Sequence, residues 1–301
     1  MFWLAGPTFY SVMGGTWLRM SYRQRVGSAL DSVAVRMYPE PVRSAFKRLG
    51  LHDTIRHGYV RLAVSLTSPS KSPPRVVSRS IAGKNSNFWI TTPEEYFRVN
   101  QFHGEEQILR DLMDEVRPSD VFFDVGANIG TYTCPLAEIA DRVVSFEPHP
   151  VNAKRLRENV RLNDYEVIVV EAALSDSEGK IALATEENAI GSGEHAITFK
   201  EGQESIIVHS MTGDQLVSNG RIPCPSVVKV DVEGAEVSVL SGLRQSIALD
   251  RCRIVYVEVH SEKLRNYGHR PQDVTDILQS SGFCVETIHS RGSEYFLKAV
   301  K

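Results

Sequence analysis

The chain has 301 residues, is 42% apolar and carries a net charge of −3, which excludes collagen-like and disordered classes and leaves room for one large domain or one domain with an appendage. The charge is unevenly placed: residues 1–80 hold 12 Lys and Arg against 3 Asp and Glu, while the remainder hold 22 against 34. A basic arm on an acidic body suits an anionic surface, and equally suits a helical extension that docks on its acidic partner domain. We expect peripheral membrane contact for the arm as one option, and no nucleic acid. Cys134, Cys224, Cys252 and Cys284 form no C-x-x-C pair and no zinc-like cluster, so no metal site is expected and a reducing, cytoplasmic setting is. Residues 1–18 are uncharged, but Pro7 and Gly14-Gly15 argue against a spanning helix.

In chain order, Val26, Leu30, Val33 and Met37 make an amphipathic stripe that Pro39 and Pro41 end. Val42, Phe46 and Leu49 make a shorter one, closed by Gly50. Residues 60–66 read as strand or helix alike. Residues 68–80, with three prolines and several serines, read as a linker, so the expected division is an extension at 1–80 and a domain at 81–301. Residues 87–100 read as a short β-element and 103–116 as a helix. Then come strand 121–125, helix 130–140, strand 142–147, helix 150–162 and strand 166–172, an alternation that predicts a mostly parallel sheet. Strands at 180–185 and 205–209 flank an exposed loop over 186–204. The sheet resumes at 226–232, with a helix at 235–245, a strand at 253–259 and a helix at 271–280. Two strands, 282–289 and 294–300, close the chain as a hairpin, which makes the last strand antiparallel.

The informative stretch is Val121-Phe-Phe-Asp-Val-Gly-Ala-Asn-Ile-Gly130, followed by a strand ending at Glu147. A buried strand, a glycine turn, a helix and a second strand ending in an acid form a nucleoside site in open α/β sheets: the turn takes one end of the ligand and the acid takes the ribose hydroxyls. Gly126 and Gly130 are read as letting backbone approach the ligand. A dinucleotide needs G-x-G-x-x-G for its pyrophosphate, and here the middle glycine is missing and the loop has no basic residue. S-adenosylmethionine (SAM) fits better: it has no phosphate, its ammonium suits Asp124, and its ribose suits Glu147. Asn128 is the residue in this turn that tolerates a left-handed backbone.

Four segments, Asp124-Val-Gly-Ala-Asn-Ile-Gly-Thr-Tyr-Thr133, Phe146-Glu-Pro148, Ala173-Leu-Ser-Asp176 with Gly179, and Lys229-Val-Asp-Val-Glu-Gly-Ala-Glu236, resemble the FkbM family of SAM-dependent methyltransferases over roughly residues 87–299. The resemblance implies a Rossmann-like class I methyltransferase fold, with strand order 3-2-1-4-5-7-6 and the last strand antiparallel. It also implies O-methylation of a hydroxyl on a sugar, glycan or polyketide-like acceptor. It adds Glu105, a contact from Asn128, and Ala173 against the adenine to a cofactor set of Asp124, Gly126, Gly130 and Glu147. One departure is Met211-Thr-Gly-Asp214, where Gly213 is expected to loosen the local packing. Ligands lie beyond the carboxyl ends of the strands, so Asp231 and Glu233 after one strand and Glu258 and His260 at the end of the next converge on the reacting edge. The expected acceptor site is Asp231 and Glu233, with His260 as the alternative base because histidine titrates near neutrality. Gly234 is read as another close approach of a ligand. The competing functions are an NAD-dependent oxidoreductase and a non-catalytic SAM-binding or docking module.

Overall fold

A computed structural model of the protein describes residues 75–101, 105–184, 205–291 and 293–301. The readings placed on residues 1–74 and on the loop 186–204 lie outside the described residues. The chain separates into two units at Ser72, and the described residues belong to the second, Pro73–Lys301.

The centre is a seven-stranded sheet. Its middle strands, β3 (Val121–Val125), β9 (Val227–Val230) and β10 (Ile254–His260), are buried at every position, as the near-continuous apolar runs require of strands covered on both faces. β4 (Arg142–Phe146) and β5 (Val167–Val170) extend one side in parallel, and β12 (Glu294–Val300) and β11 (Cys284–Arg291) extend the other. The spatial order β5-β4-β3-β9-β10-β12-β11 is 3-2-1-4-5-7-6 when these seven strands are numbered along the chain, and β12 runs antiparallel to β10. The order reverses between β3 and β9, and that switch point is where an open α/β sheet binds its ligand.

Helices cover both faces. α2 (Glu106–Glu115) lays Ile108, Leu109 and Leu112 on Phe122, Val143 and Tyr256. On the other face, α6 (Glu236–Gly242), α7 (Arg244–Ala248) and α9 (Pro271–Ser280) bury Val239, Leu240, Ile247, Val274 and Leu278 against Val228, Val230 and Val257. α4 (Pro150–Leu162) packs Leu156 and Val160 against Phe88 and Ile90. A smaller sheet joins β6 (Ala173–Leu174), β8 (Ser205–Met211) and β7 (Gly179–Ala184).

Several expected elements are different. The second half of the expected linker is a strand: β1 (Arg75–Ile81) pairs antiparallel with β2 (Lys84–Ile90). Its inward positions include Arg75, stacked 4.8 Å from the Tyr96 ring, and Arg79, paired with Glu106, so apolar alternation was hidden by two buried-side arginines. Residues 87–100 are not one β-element, because α1 (Pro93–Gln101) begins after Ile90. Its start is a reciprocal cap: Glu95 accepts from Thr92 N at 2.9 Å, and the Thr92 hydroxyl accepts from Glu95 N at 3.2 Å. The helix expected at 130–140 is the short α3 (Thr133–Ala137), and the one expected at 235–245 is split at Leu243 into α6 and α7. α5 (Gly213–Ser218) and α8 (Ser261–Asn266), six residues each, were too short to show a period.

The expected loosening at Gly213 is not found. A Cβ there would lie 2.3 Å from Leu243 Cδ2, so glycine lets α5 seat against the break between α6 and α7. Asp214 then accepts from Gln245 N, Ser246 N and the Ser246 hydroxyl at 2.8, 2.7 and 2.6 Å, which caps α7. Gly213→Ala should therefore destabilise the fold by about 1–3 kcal/mol through overpacking, read as a lower urea midpoint with unchanged slope.

Candidate active site

The turn after β3 is built by its own backbone. Gly126 N and Ala127 N both donate to Phe146 O at 3.0 Å, and Gly126 (φ +80), Asn128 (φ +50) and Gly130 (φ +92) are all left-handed. The reason for the glycines is corrected here. A Cβ on Gly126 would sit 1.9 Å from Asp231 O, and one on Gly130 would sit 2.6 Å from Leu156 Cδ1. Protein backbone and core by themselves exclude side chains there. At Gly234 (φ +96) the same holds: a Cβ would meet Tyr267 and Lys263, so the glycine seats the loop on α8.

Glu147 follows β4 and is 5% exposed. Its Oε2 accepts from Asn128 N at 2.8 Å and its Oε1 from His149 N at 2.9 Å. Burial pushes its carboxyl up to about 7, against the pull of those two N–H groups and Arg98. Glu105, just before α2, is buried and accepts from the Tyr132 hydroxyl at 3.0 Å. Ala173 opens β6 and is half-buried. Asp124 is wholly buried; its Oδ2 accepts from the Thr133 hydroxyl at 2.6 Å, and its Oδ1, 3.6 Å from Lys229 Nζ, has no hydrogen bond. Burial pushes its carboxyl up, opposed by Lys229 and Thr133.

The other half lies after β9 and β10. Asp231 N donates to Val125 O at 3.0 Å, which fixes this loop beside the glycine turn. Asp231 Oδ2 accepts from Lys229 Nζ at 3.0 Å. Burial would raise the Asp231 carboxyl, but Lys229 first, then His260 and Arg98, hold it well below the usual carboxylate range. Glu233 pairs with Lys263, and its Oε2 lies 3.4 Å from His260 Nε2. Burial nevertheless pushes the Glu233 carboxyl up. Glu236, the acid in the first turn of α6, is wholly buried and accepts from His260 N at 3.1 Å and from Nδ1 at 2.7 Å.

His260 is 4% exposed. Burial alone would lower its pKa, but the Glu236 bond, with Glu233 and Glu258 nearby, lifts it to about 10. The neighbouring carboxylates, Glu236 first, thus favour the imidazolium over the near-neutral titration expected of this residue. Asp231, Glu258 and His260 do present ligand atoms within 4.8 Å of one another, the sole such group among the described residues.

The structure gathers Asp124, Gly126, Asn128, Glu147, Asp231, Glu233 and His260 at the sheet's carboxyl edge, Glu105 joins them through Tyr132, and Ala173 belongs to the smaller sheet. Sequence reading missed Lys229, a lysine 1% exposed in an apolar strand and in register with Asp124. The signal was there, since only a paired cation survives in such a run. A buried acid after β4 and a turn with no basic residue fit the two ribose hydroxyls and the positive charge of SAM.

Fold and site together define a class I methyltransferase. The profile described as the methyltransferase FkbM domain matches residues 124–285. The chain is 36% identical to the hexuronic acid methyltransferase AglP of Haloferax volcanii over 217 residues, covering 72% of this chain and 85% of that protein. It is 31% identical to the 31-O-demethyl-FK506 methyltransferase FkbM of Streptomyces tacrolimicus, over 57% of this chain and 75% of that one. Among solved structures, an FkbM methyltransferase from Methylobacillus flagellatus aligns over 64% of this chain and 46% of that one, at 17% identity and a TM-score of 0.45. The chain belongs to the FkbM methyltransferase family, and its cofactor is SAM. Among the described residues no helix is long and apolar enough to cross a membrane.

Proposed function

We propose that the protein transfers a methyl group from SAM to a hydroxyl of a sugar, glycan or polyketide-like acceptor. The observation that carries this is the placement of Asp231, Glu233 and His260 directly beside the turn that leads to Glu147. Two relatives support the acceptor class, one acting on a hexuronic acid and one on a demethylated polyketide oxygen. Glu147 accepts the ribose hydroxyls, the 126–130 backbone lies along the amino acid end, Asp124 meets the ammonium and Ala173 lies against the adenine. Glu105 supports Tyr132 behind the turn. SAM supplies an electrophilic methyl, and the chain's task is to hold the acceptor oxygen in line with it and to take its proton.

Glu233 is the base. Its carboxyl is raised by burial, whereas Lys229 holds that of Asp231 low and Glu236 favours the protonated His260 ring. Asp231 orients the acceptor hydroxyl as an ionised hydrogen-bond acceptor, and the His260 imidazolium steadies Glu233, itself held by Glu236. The residues ahead of Pro73 are read as a basic extension that acts in the cytoplasm at or near an anionic surface. Vesicles with anionic lipid should retain the full chain, and neutral ones should not.

The reaction is tested with methyl-labelled SAM and three acceptor pools: neutral glycans, uronic-acid glycans and polyketides. Label that resists mild alkali marks an ether and supports the reading. Label released by alkali marks an ester on a carboxylate, and label on nitrogen marks another class; either outcome overturns the hydroxyl acceptor.

A further inference from the structure

Lys229 has no part in the mechanism above, yet it is the most costly residue to bury in this sheet. Its side chain is inaccessible, and an ammonium taken out of water persists only when paired. Three groups surround it. Asp231 Oδ2 lies at 3.0 Å, Asp124 Oδ1 at 3.6 Å, and the Tyr132 ring centroid at 4.5 Å. The Tyr132 hydroxyl in turn bonds to Glu105. Asp124 is the last residue but one of β3, Asp231 follows β9, and Lys229 is opposite Asp124 in the parallel ladder. One ammonium thus touches the acid assigned to the cofactor ammonium and the acid assigned to the acceptor.

We propose that Lys229 is a positioning residue for methyl transfer: it pairs with both Asp124 and Asp231 and aims them, so that donor and acceptor halves of the site share one registered anchor. The proposal rests on the acceptor site described above. Without the lysine, Asp231 would face Asp124 and Glu233 as repelling neighbours and Glu258 beyond them, with His260 and Arg98 the remaining cations acting on it. Its burial would then favour the neutral acid, which cannot accept the acceptor's hydroxyl proton as a hydrogen bond in the same way.

The test is the pH profile of kcat at saturating SAM, which removes the contribution of Glu147 to cofactor binding, together with the SAM dissociation constant. The wild type should show one acid limb, from Glu233, falling about tenfold per pH unit. Lys229→Met should lower kcat about 100-fold at neutral pH and gain a second limb, so that the acid slope steepens towards 100-fold per unit. SAM affinity should fall by less than kcat. A Lys229→Met protein with a single limb, and a kcat lowered only in proportion to its folded fraction, overturns the proposal. If Lys229→Met does not fold, Lys229→Arg is read instead. Retained charge should leave one limb with a reduced kcat, and a wild-type kcat or a second limb overturns the proposal. Asp231→Asn and Glu233→Gln separate the two readings. If both keep full kcat, the acceptor site itself is wrong; if both lose it and Lys229→Met does not, this inference alone fails.

Discussion

Glu147→Ala is expected to weaken SAM binding by about 100- to 10,000-fold, because two ribose hydroxyls lose a charged acceptor worth about 1.5–3 kcal/mol each. The side chain also satisfies the N–H groups of Asn128 and His149. The alanine protein should therefore be less stable by about 1–3 kcal/mol for each stranded donor, while its circular dichroism keeps the native shape. pH separates these effects. The carboxyl is raised to about 7 in the ligand-free fold, so it is neutral below that value and ionised above it. SAM favours the ionised form. Affinity should be flat above pH 7 and fall by up to tenfold per unit below it, and Glu147→Gln should remove that dependence in calorimetry. The stability sign is opposite. The ionised buried carboxylate burdens the empty protein above about pH 7, and the burden disappears as pH falls towards the ordinary carboxylate range. An affinity unchanged in Glu147→Ala would show that the ribose is read elsewhere.

Glu233→Gln is expected to lower kcat by about 100- to 10,000-fold, the range spanned by general-base catalysis, with SAM affinity within about twofold of wild type. Glutamine keeps the shape and a contact to Lys263 but cannot take a proton. The split matters because Asp231→Asn also lowers kcat for a different reason: it loosens Lys229, breaks a buried pair and should cost about 3–5 kcal/mol of stability. A Glu233→Gln enzyme with normal kcat would return the base to Asp231 or to a group outside the described residues.

The middle of the fold was legible because its strands are buried on both faces. Runs such as Val121-Phe-Phe and Ile254-Val-Tyr-Val allow no other element between their turns, and α4 and α9 are announced by Pro150 and Pro271 at their first positions. The edges were not. β1 turns arginines inward, and α5 and α8 are shorter than two turns, so periodicity says nothing about them. The start of α1 was readable as Thr92-Pro-Glu-Glu95, a capping pattern overlooked beside the strand-like residues before it. In the site, the sequence placed Glu147 at the end of its strand, and the structure has it there, bonded to Asn128 N and His149 N. The reasons failed where packing decides: Gly126 and Gly234 make room for protein, and His260 takes its charge from Glu236, 24 positions away, a partner that no local reading supplies.

The central claim is that this edge moves a methyl group from SAM to an acceptor oxygen with Glu233 as the base. A single-turnover experiment with methyl-labelled SAM, the reactive acceptor pool, and wild-type, Glu147→Ala and Glu233→Gln proteins tests it most directly. The account predicts label on acceptor oxygen in the wild type, matched one for one by S-adenosylhomocysteine. It predicts no bound SAM in Glu147→Ala at concentrations that saturate the wild type, and full binding with almost no transfer in Glu233→Gln. Transfer at the wild-type rate in Glu233→Gln, or label ending on the protein or on a nitrogen, would contradict it.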